Sequence, residues 1–380
     1  MKYRKLRDSP FVFLRGTCHL FYHHLAKDQL LPKAPLAWSC GDLHLENFGS
    51  YKGDNRLVHF DVNDFDEAIL APATSDPVRF LTSVVVAADT LRASRAEALN
   101  LCRTFTLAYG EALADGKARW IERETAQGLV RELLETLKGR DRAAFLDRRT
   151  DRKKLRRVIR CDGQHALSAT NAQREFATEV IAEHASNTPK PGFFKVLDVA
   201  RRVAGTGSLG LERYVILIEG KGSPDGNYLL DLKQAAVSSL QAHLDVHQPE
   251  WPSEAHRVVA LQRRLQAVSM AFLRPIVKRK SSFVLRGLQP SEDRVALDGR
   301  HVAIEQITSV LQDMGRLVAW SQLRSSGRQG AANADALIEF GSSCKNWQAE
   351  LCELAHQCAA QVAKDWQVYS AAFDADALAR

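Results

Sequence analysis

Residues 39–68, "SCGDLHLENFGSYKGDNRLVHFDVNDFDEA", crowd seven carboxylates into thirty positions of a 380-residue chain whose formal net charge is +7. Like charges held so close repel one another, so the stretch must either be solvated or serve a cation. The pattern between the acids bears on that choice. In "RLVHFDVNDF" the period is two, with Leu57, His59, Asp61 and Asn63 on one face and Val58, Phe60 and Val62 on the other. This predicts a strand with an apolar back and with Asp61 turned toward a ligand. Upstream, "GDLHLEN" is short, polar and bounded by glycine, which predicts a loop presenting Asp42 and Asn47. "FGSY" then opens a second strand and "KGDN" is the turn between the two. The expected result is a hairpin whose open end gathers Asp42, Asn47 and Asp61.

Two aspartates and an asparagine in one place suit phosphoryl transfer. One carboxylate orients the attacking hydroxyl and accepts its proton. The amide oxygen and the second carboxylate are hard oxygen donors for Mg2+, which bridges nucleotide phosphates. A magnesium ion would also relieve the crowding of negative charge. Asp64, three residues beyond Asp61, is the rival metal ligand. Asp66 and Glu67 read as surface or supporting groups, and His44 as a brace within the loop. An exposed acidic hairpin with no ligand is the competing reading.

Hydrophobic content of 45% and charged content of 26% suit a chain that buries a core. No run of eighteen apolar residues occurs, so no membrane span is expected, and the basic start lacks the features of a signal peptide. The seven cysteines show no CxxC pair or metal-ligand spacing, which reads as reduced thiols in a cytoplasmic protein and argues against zinc. The densest basic run, "DRRTDRKKLRRVIR" at 147–160, has no interleaved aromatics and is expected to be a solvated helix face. A nucleic-acid-binding protein is the reading in which the acidic hairpin is incidental.

Three parts are expected along the chain. Residues 1–150 carry the acidic loop among helical patterns, including "DPVRFLTSVVVAADTL", "SRAEALNLCRTFTLAYGEALADG" with Ser94 as N-cap, and "KARWIERETAQGLVRELLETLKG". Residues 151–290 are strand-rich. There "LERYVILIEG" and "NYLLDLKQA" are joined by the turn "KGSPDG", "SEAHRVVALQRRLQAVSMAFL" is a helix capped by Ser253, and "KSSFVLRGL" is another strand. Residues 291–380 are helical again. Within the middle part, "GTGSLG" places Gly205, Gly207, Ser208 and Gly210 in a turn where backbone N–H groups can approach phosphates. Strand rather than helix follows it, which disfavours a dinucleotide-binding unit. Lys233 alternates with Leu230 and Leu232 on the next strand and is the candidate phosphate-pairing lysine, with Glu254 as the carboxylate to hold it.

"CGDLHLENFGSY…VHFDVNDFDEA…SDPVRFLTS" resembles the catalytic half of the aminoglycoside phosphotransferase and choline kinase group, with Cys40 where that group has histidine. The resemblance implies Asp42 as catalytic base, Asn47 and Asp61 as magnesium ligands, Asp76 as support for the loop, and Mg2+ with ATP as cofactors. Over nearly its full length the chain also resembles the uncharacterised bacterial domain of unknown function 2252. The matching pieces are "SPFVFLRG" (9–16), "GDLHLENFG" (41–49), "FDVNDFDEA" (60–68), "DVARRVAGTGSLGLERYVILIEG" (198–220) and "FVLRGL" (283–288). Gln234 stands where that family usually has glutamate, and "AWSQLRSSGRQG" lacks its usual histidine and aspartate. Taken together these imply an α+β, protein-kinase-like two-lobe fold in circularly permuted order, whose helical C-terminal part returns to the first lobe. The expected function is Mg-ATP-dependent phosphotransfer to a hydroxyl. Nucleotidyl transfer, or nucleotide binding without turnover, is the alternative.

Overall fold

A computed structural model describes residues 2–27, 34–203, 210–289 and 293–375. It is a mixed α+β architecture built on antiparallel sheets. In the acidic stretch, β1 (Leu36–Ser39) leads into the loop, and β2 (Phe48–Lys52) pairs with β3 (Val58–Val62), Phe48 standing opposite Val62. β4 (Ile69–Pro72) returns beside β1. β5 (Ile121–Glu122) extends the hairpin, with His59 opposite Glu122. The run 117–139 is therefore not helical throughout, and its helix spans only Gly128–Lys138. Thr125 accounts for the break, because its Oγ1 accepts the Glu122 N–H (3.1 Å) and folds the chain into a turn.

The basic run corrects another expectation. It forms a hairpin, β6 (Thr150–Lys153) and β7 (Arg156–Ile159), rather than a helix face, and Lys154 takes the left-handed conformation at its tip (φ 57°). Arg157 is drawn inward, donating to Asp147 Oδ1 (2.6 Å) and Asp225 Oδ1 (2.7 Å). Those acids lie too far off in sequence for a helix to reach both.

The middle of the chain forms a six-stranded antiparallel sheet. Its strands are β8 (Ala166–Ser168), β9 (Val196–Arg202), β10 (Arg213–Ile218), β11 (Tyr228–Gln234), β12 (Arg274–Lys278) and β13 (Ser281–Gly287), in the order β12-β13-β11-β10-β9-β8. Period-two alternation divides its faces. Val199, Ile216, Leu230, Leu232, Phe283 and Leu285 pack against Ala177, Val180 and Ile181 of the Asn171–Ser186 helix. The opposite face carries Arg213, Asp231, Lys233 and Arg286. These polar residues point at the acidic loop.

The helices of the two chain ends share one core. The Arg95–Asp115 helix begins at a capping box made by Ser94 and Glu97 and packs against Ile304–Ser325, Ala334–Ser342 and Cys344–Asp374. Close approach is set by small residues. A Cβ at Gly315 would lie 2.5 Å from the Phe105 carbonyl oxygen, and one at Gly341 would lie 2.5 Å from Leu113 Cβ. The helix after β11, Glu254–Leu265, is shorter than its sequence pattern suggests. It stops where Gln266 Nε2 donates to the Val62 carbonyl (2.7 Å). Among the described residues no helix is long and apolar enough to cross a membrane.

Gly315→Val places a Cβ and two methyl groups in the seam that joins the chain ends. It is expected to lower unfolding free energy by about 1–3 kcal/mol, read as a reduced urea midpoint with an unchanged slope.

Candidate active site

The loop between β1 and the 3-10 turn Leu45–Asn47 is fixed before any ligand is considered. Asp76, in the first turn of the Ser75–Val86 helix, accepts the Cys40 N–H on Oδ2 (2.8 Å) and the Gly41 N–H on Oδ1 (2.9 Å). The Tyr22 hydroxyl donates to the Gly41 carbonyl (2.8 Å). Gly41 has φ +87°, and a Cβ there would lie 2.2 Å from the Glu67 carbonyl oxygen, so only glycine fits. His44 Nδ1 accepts the Glu46 N–H (3.2 Å), and Ser83 Oγ accepts that of Leu45 (3.1 Å). Burial first, then Arg15 and Arg79, holds His44 well below its ordinary pKa, so it stays neutral. Arg15 Nη1 and Arg294 Nη1 both reach Glu46 Oε2, at 2.7 Å and 2.8 Å.

Asp42 projects from this loop. Arg79, fully buried, donates to its Oδ1 from Nε (2.7 Å) and from Nη2, and Nη2 also donates to the Leu14 carbonyl (2.9 Å). Burial raises the Asp42 pKa to about 6 against the opposing pull of Arg79. Asn47 donates its Nδ2 to the Asp42 carbonyl (2.5 Å), which leaves its amide oxygen without a hydrogen-bond partner among the described residues.

Asp61 does not join them. Its carboxylate accepts from Val62 N (2.8 Å) and Ala267 N (3.4 Å) and lies 3.4 Å from Arg324 Nη2, with its side chain 3% exposed. Burial raises its pKa to about 6. The alternation of β3 correctly separates its two faces, but both are covered. The face bearing His59 and Asp61 is roofed by residues 266–270, where the Tyr51 hydroxyl donates to the Val268 carbonyl (2.9 Å) and Gly53 bridges to Met270. Asp64, just past the strand, takes the cleft position instead. Lys233, Arg286, Arg213 and Arg294 pull its pKa below the ordinary carboxylate value, against its burial.

The sheet supplies the cations. Lys233 is buried and forms an ion pair with Asp66, and Asp64 and Asp42 are also in electrostatic reach. Burial lowers its pKa. Glu254 is not its partner. Glu254 Oε2 accepts from Arg257 Nε (2.6 Å), and Arg257 in turn donates to the carbonyls of Ala68 (2.5 Å), Asp66 (2.9 Å) and Ala236 (2.8 Å). Glu254 sits at the first position of its helix, one turn before Arg257, and that proximity decides the pairing. Glu67 accepts from Ser238 Oγ (2.9 Å) and Ser239 N (2.6 Å) and joins the loop to the chain after β11. Gln234 Oε1 accepts the Glu212 N–H (3.1 Å) at the end of the β10–β11 pair. Gly205, Gly207 and Ser208 lie outside the described residues, while Gly210 has φ +115° and open space where a Cβ would stand.

Sequence reasoning missed Asp66 as the partner of Lys233, Arg79 as the holder of Asp42, and the arginines of the sheet. One signal was available: Asp231 and Arg286 sit inside largely apolar stretches of strand, where a lone charge is costly. The "AWSQLRSSGRQG" segment serves packing. Gln322 Nε2 donates to the Ala73 carbonyl (2.9 Å), and the Tyr109 hydroxyl donates to Gln322 Oε1 (2.7 Å).

Burial raises the Asp76 pKa from 3.8 to about 6 despite the N–H groups of Cys40 and Gly41. Between those values the folded protein binds more protons at this site than the unfolded chain does. The contribution of Asp76 to stability therefore falls as pH rises from about 4 to about 6, by at most roughly 3 kcal/mol. Asp76→Asn removes that titration. The stability of the natural protein relative to the variant, from urea melts, should decline across that window and be level above it.

No curated protein and no solved structure matches the chain. A family model does, over residues 1–372, and its description is an uncharacterised protein conserved in bacteria. The chain belongs to that family, DUF2252.

Proposed function

We propose that this protein is a Mg-ATP-dependent phosphotransferase acting on a hydroxyl, built on a kinase-like fold in permuted order. The observation that carries this reading is the meeting of Lys233, from the centre of the sheet, with Asp66, Asp64 and Asp42 of the acidic loop. A phosphoryl-transfer site needs a cation for the phosphates, oxygen donors for a metal and a carboxylate for the attacking hydroxyl, all in one cleft. The shared core of the two chain ends, with the sheet between them in sequence, supports the permuted order.

Asp42 is the base in this reading. Arg79 holds Oδ1, so the carboxylate cannot rotate, and Oδ2 is the oxygen offered to the acceptor's proton. The donor set fits magnesium. Asn47 Oδ1 and the Asp64 carboxylate are hard oxygens, and nucleotide-bound Mg2+ takes only one or two protein ligands, its other positions going to phosphate and water. No group of three or more His, Cys, Asp or Glu among the described residues could hold a metal. Magnesium there would neutralise charge on the phosphates as it transfers. Lys233 pairs with the phosphates and exchanges Asp66 for them on binding. Asp61 holds Arg324 and is a structural group.

Nucleotidyl transfer, or binding without turnover, is a second reading favoured by the Arg79 clamp, which occupies one oxygen of the carboxylate that would serve as base. Mass analysis of the products, ADP against AMP and pyrophosphate, separates these readings.

A thermal melt titrated with ATP, with and without Mg2+, tests the assignment. At a hundredfold excess over Kd, binding adds about 2.7 kcal/mol, a readable shift. Asp64→Ala should remove the magnesium-dependent part and Lys233→Ala the whole shift. Asp61→Asn should lower the starting Tm and keep the shift. A magnesium-dependent shift lost in Asp61→Asn but kept in Asp64→Ala overturns the ligand assignment. Asp42→Asn should retain the shift while turnover falls by about 10²-fold or more. With Asp42 at about 6, ATP consumption should rise with pH through that value and then level.

A further inference from the structure

The face of the sheet toward the cleft carries more cation than its buried acid can balance. Arg202 on β9, Arg213 on β10 and Arg286 on β13 converge on one carboxylate, Asp231 of β11. Arg213 binds it through Nε (2.8 Å) and Nη2 (2.7 Å), Arg202 Nη1 lies 2.8 Å from Oδ2, and Arg286 Nε lies 3.3 Å from the same oxygen. The register explains the convergence: Arg213 is opposite Lys233, Asp231 is opposite Arg286, and Arg202 follows Arg201, the partner of Tyr214. Four adjacent strands thus turn Arg202, Arg213, Lys233 and Arg286 to one side. Asp231 is 0% exposed and the three arginine side chains are 9–11% exposed.

Among the described residues these three guanidinium groups face two carboxylates, Asp231 and Asp64, which leaves one positive charge over. Asp64 faces Arg213 and Arg286 from across the cleft, and Asp66 is taken by Lys233. Burying cations in surplus is costly unless an anion completes them. Arg202 shows that deficit. Its Nη2 donates to the Gln289 carbonyl (2.7 Å), while its buried Nη1 lies off the hydrogen-bonding direction of Asp231 and has no other partner among the described residues. Burial and the neighbouring Arg213 lower its pKa to about 10.

We propose that Arg202, Arg213 and Arg286, with Lys233, form a receptor for a chain of linked phosphates that works without a metal ion. Guanidinium N–H groups bind phosphate oxygens strongly, and cations drawn from four adjacent strands suit an anion of several linked phosphates better than a single one. The proposal deepens the phosphotransferase reading and rests on its assignment of the cleft. There the phosphates would be held by side chains of the sheet as well as by the metal and Lys233. Asp231 acts as a positioning residue that gathers the three guanidinium groups.

Calorimetric titration in EDTA with inorganic tripolyphosphate, orthophosphate and ATP tests it. Tripolyphosphate should bind at least about tenfold tighter than orthophosphate, and Arg286→Gln or Arg202→Gln should weaken it by about tenfold or more. Asp64→Ala should bind it as well as the natural protein or better. Arg152→Gln, on the exposed β6–β7 hairpin, changes net charge equally and should have no effect. Unchanged Tm in either cleft variant shows that it folds, and the two are independent of each other. Absence of metal-free tripolyphosphate binding, or equal weakening by Arg152→Gln, overturns the proposal. Tripolyphosphate binding without any binding or turnover of Mg-ATP overturns the phosphotransferase reading alone. Turnover of Mg-ATP without metal-free tripolyphosphate binding overturns the receptor alone.

Discussion

The ion pair of Lys233 with Asp66 is the contact on which the rest of the cleft depends. An ammonium group in the middle of a sheet, with leucines on the reverse of its strand, is tolerated only beside a carboxylate. That requirement brings the acidic loop against the sheet, although the two come from separate parts of the sequence. Arg257 and Glu67 secure the same junction by hydrogen bonds to backbone on both sides. The pairing also places Asp64 among the cations of the sheet and leaves Asp61 on the other side of β3.

A second chain of constraints fixes Asp42. Asp76 holds two N–H groups of the loop, Tyr22 holds a carbonyl, Gly41 supplies the left-handed turn, and Arg79 fixes the carboxylate itself. Each link is buried, so little conformational freedom remains to be lost when a substrate binds. The same burial keeps Asp42 and Asp76 near a pKa of 6. The loop is therefore arranged at some cost in stability at neutral pH, a common property of sites held ready for chemistry.

Much of the local structure was legible in the sequence. The period of β3, the turn between β10 and β11, and the caps Ser94 and Ser253 are short-range features and are found where the pattern puts them. What failed depends on distant contacts. Alternation separates Asp61 from Phe60 but cannot reveal that residues 266–270 roof the Asp61 face. Glu254 looked available to Lys233 because the sequence does not show that Arg257 claims it one turn later. The basic run at 147–160 became a hairpin because Asp225, far along the chain, captures Arg157. "SPFVFLRG" and "SSFVLRG" make the same point: Ser9 caps a helix at Pro10–Gly16, while Ser281–Gly287 is a strand paired on both sides.

The central claim is that Lys233 and the acidic loop form one nucleotide site. Labelling with an acyl-phosphate derivative of ATP, which transfers its acyl group to an amine beside bound phosphates, tests it most directly. Burial lowers the pKa of Lys233 and so favours its reactive neutral amine. Peptide mapping should find the acyl group on Lys233, with labelling suppressed by excess Mg-ATP. Labelling spread over exposed lysines such as Lys153 and Lys154, or label on Lys233 that Mg-ATP does not suppress, would contradict the account.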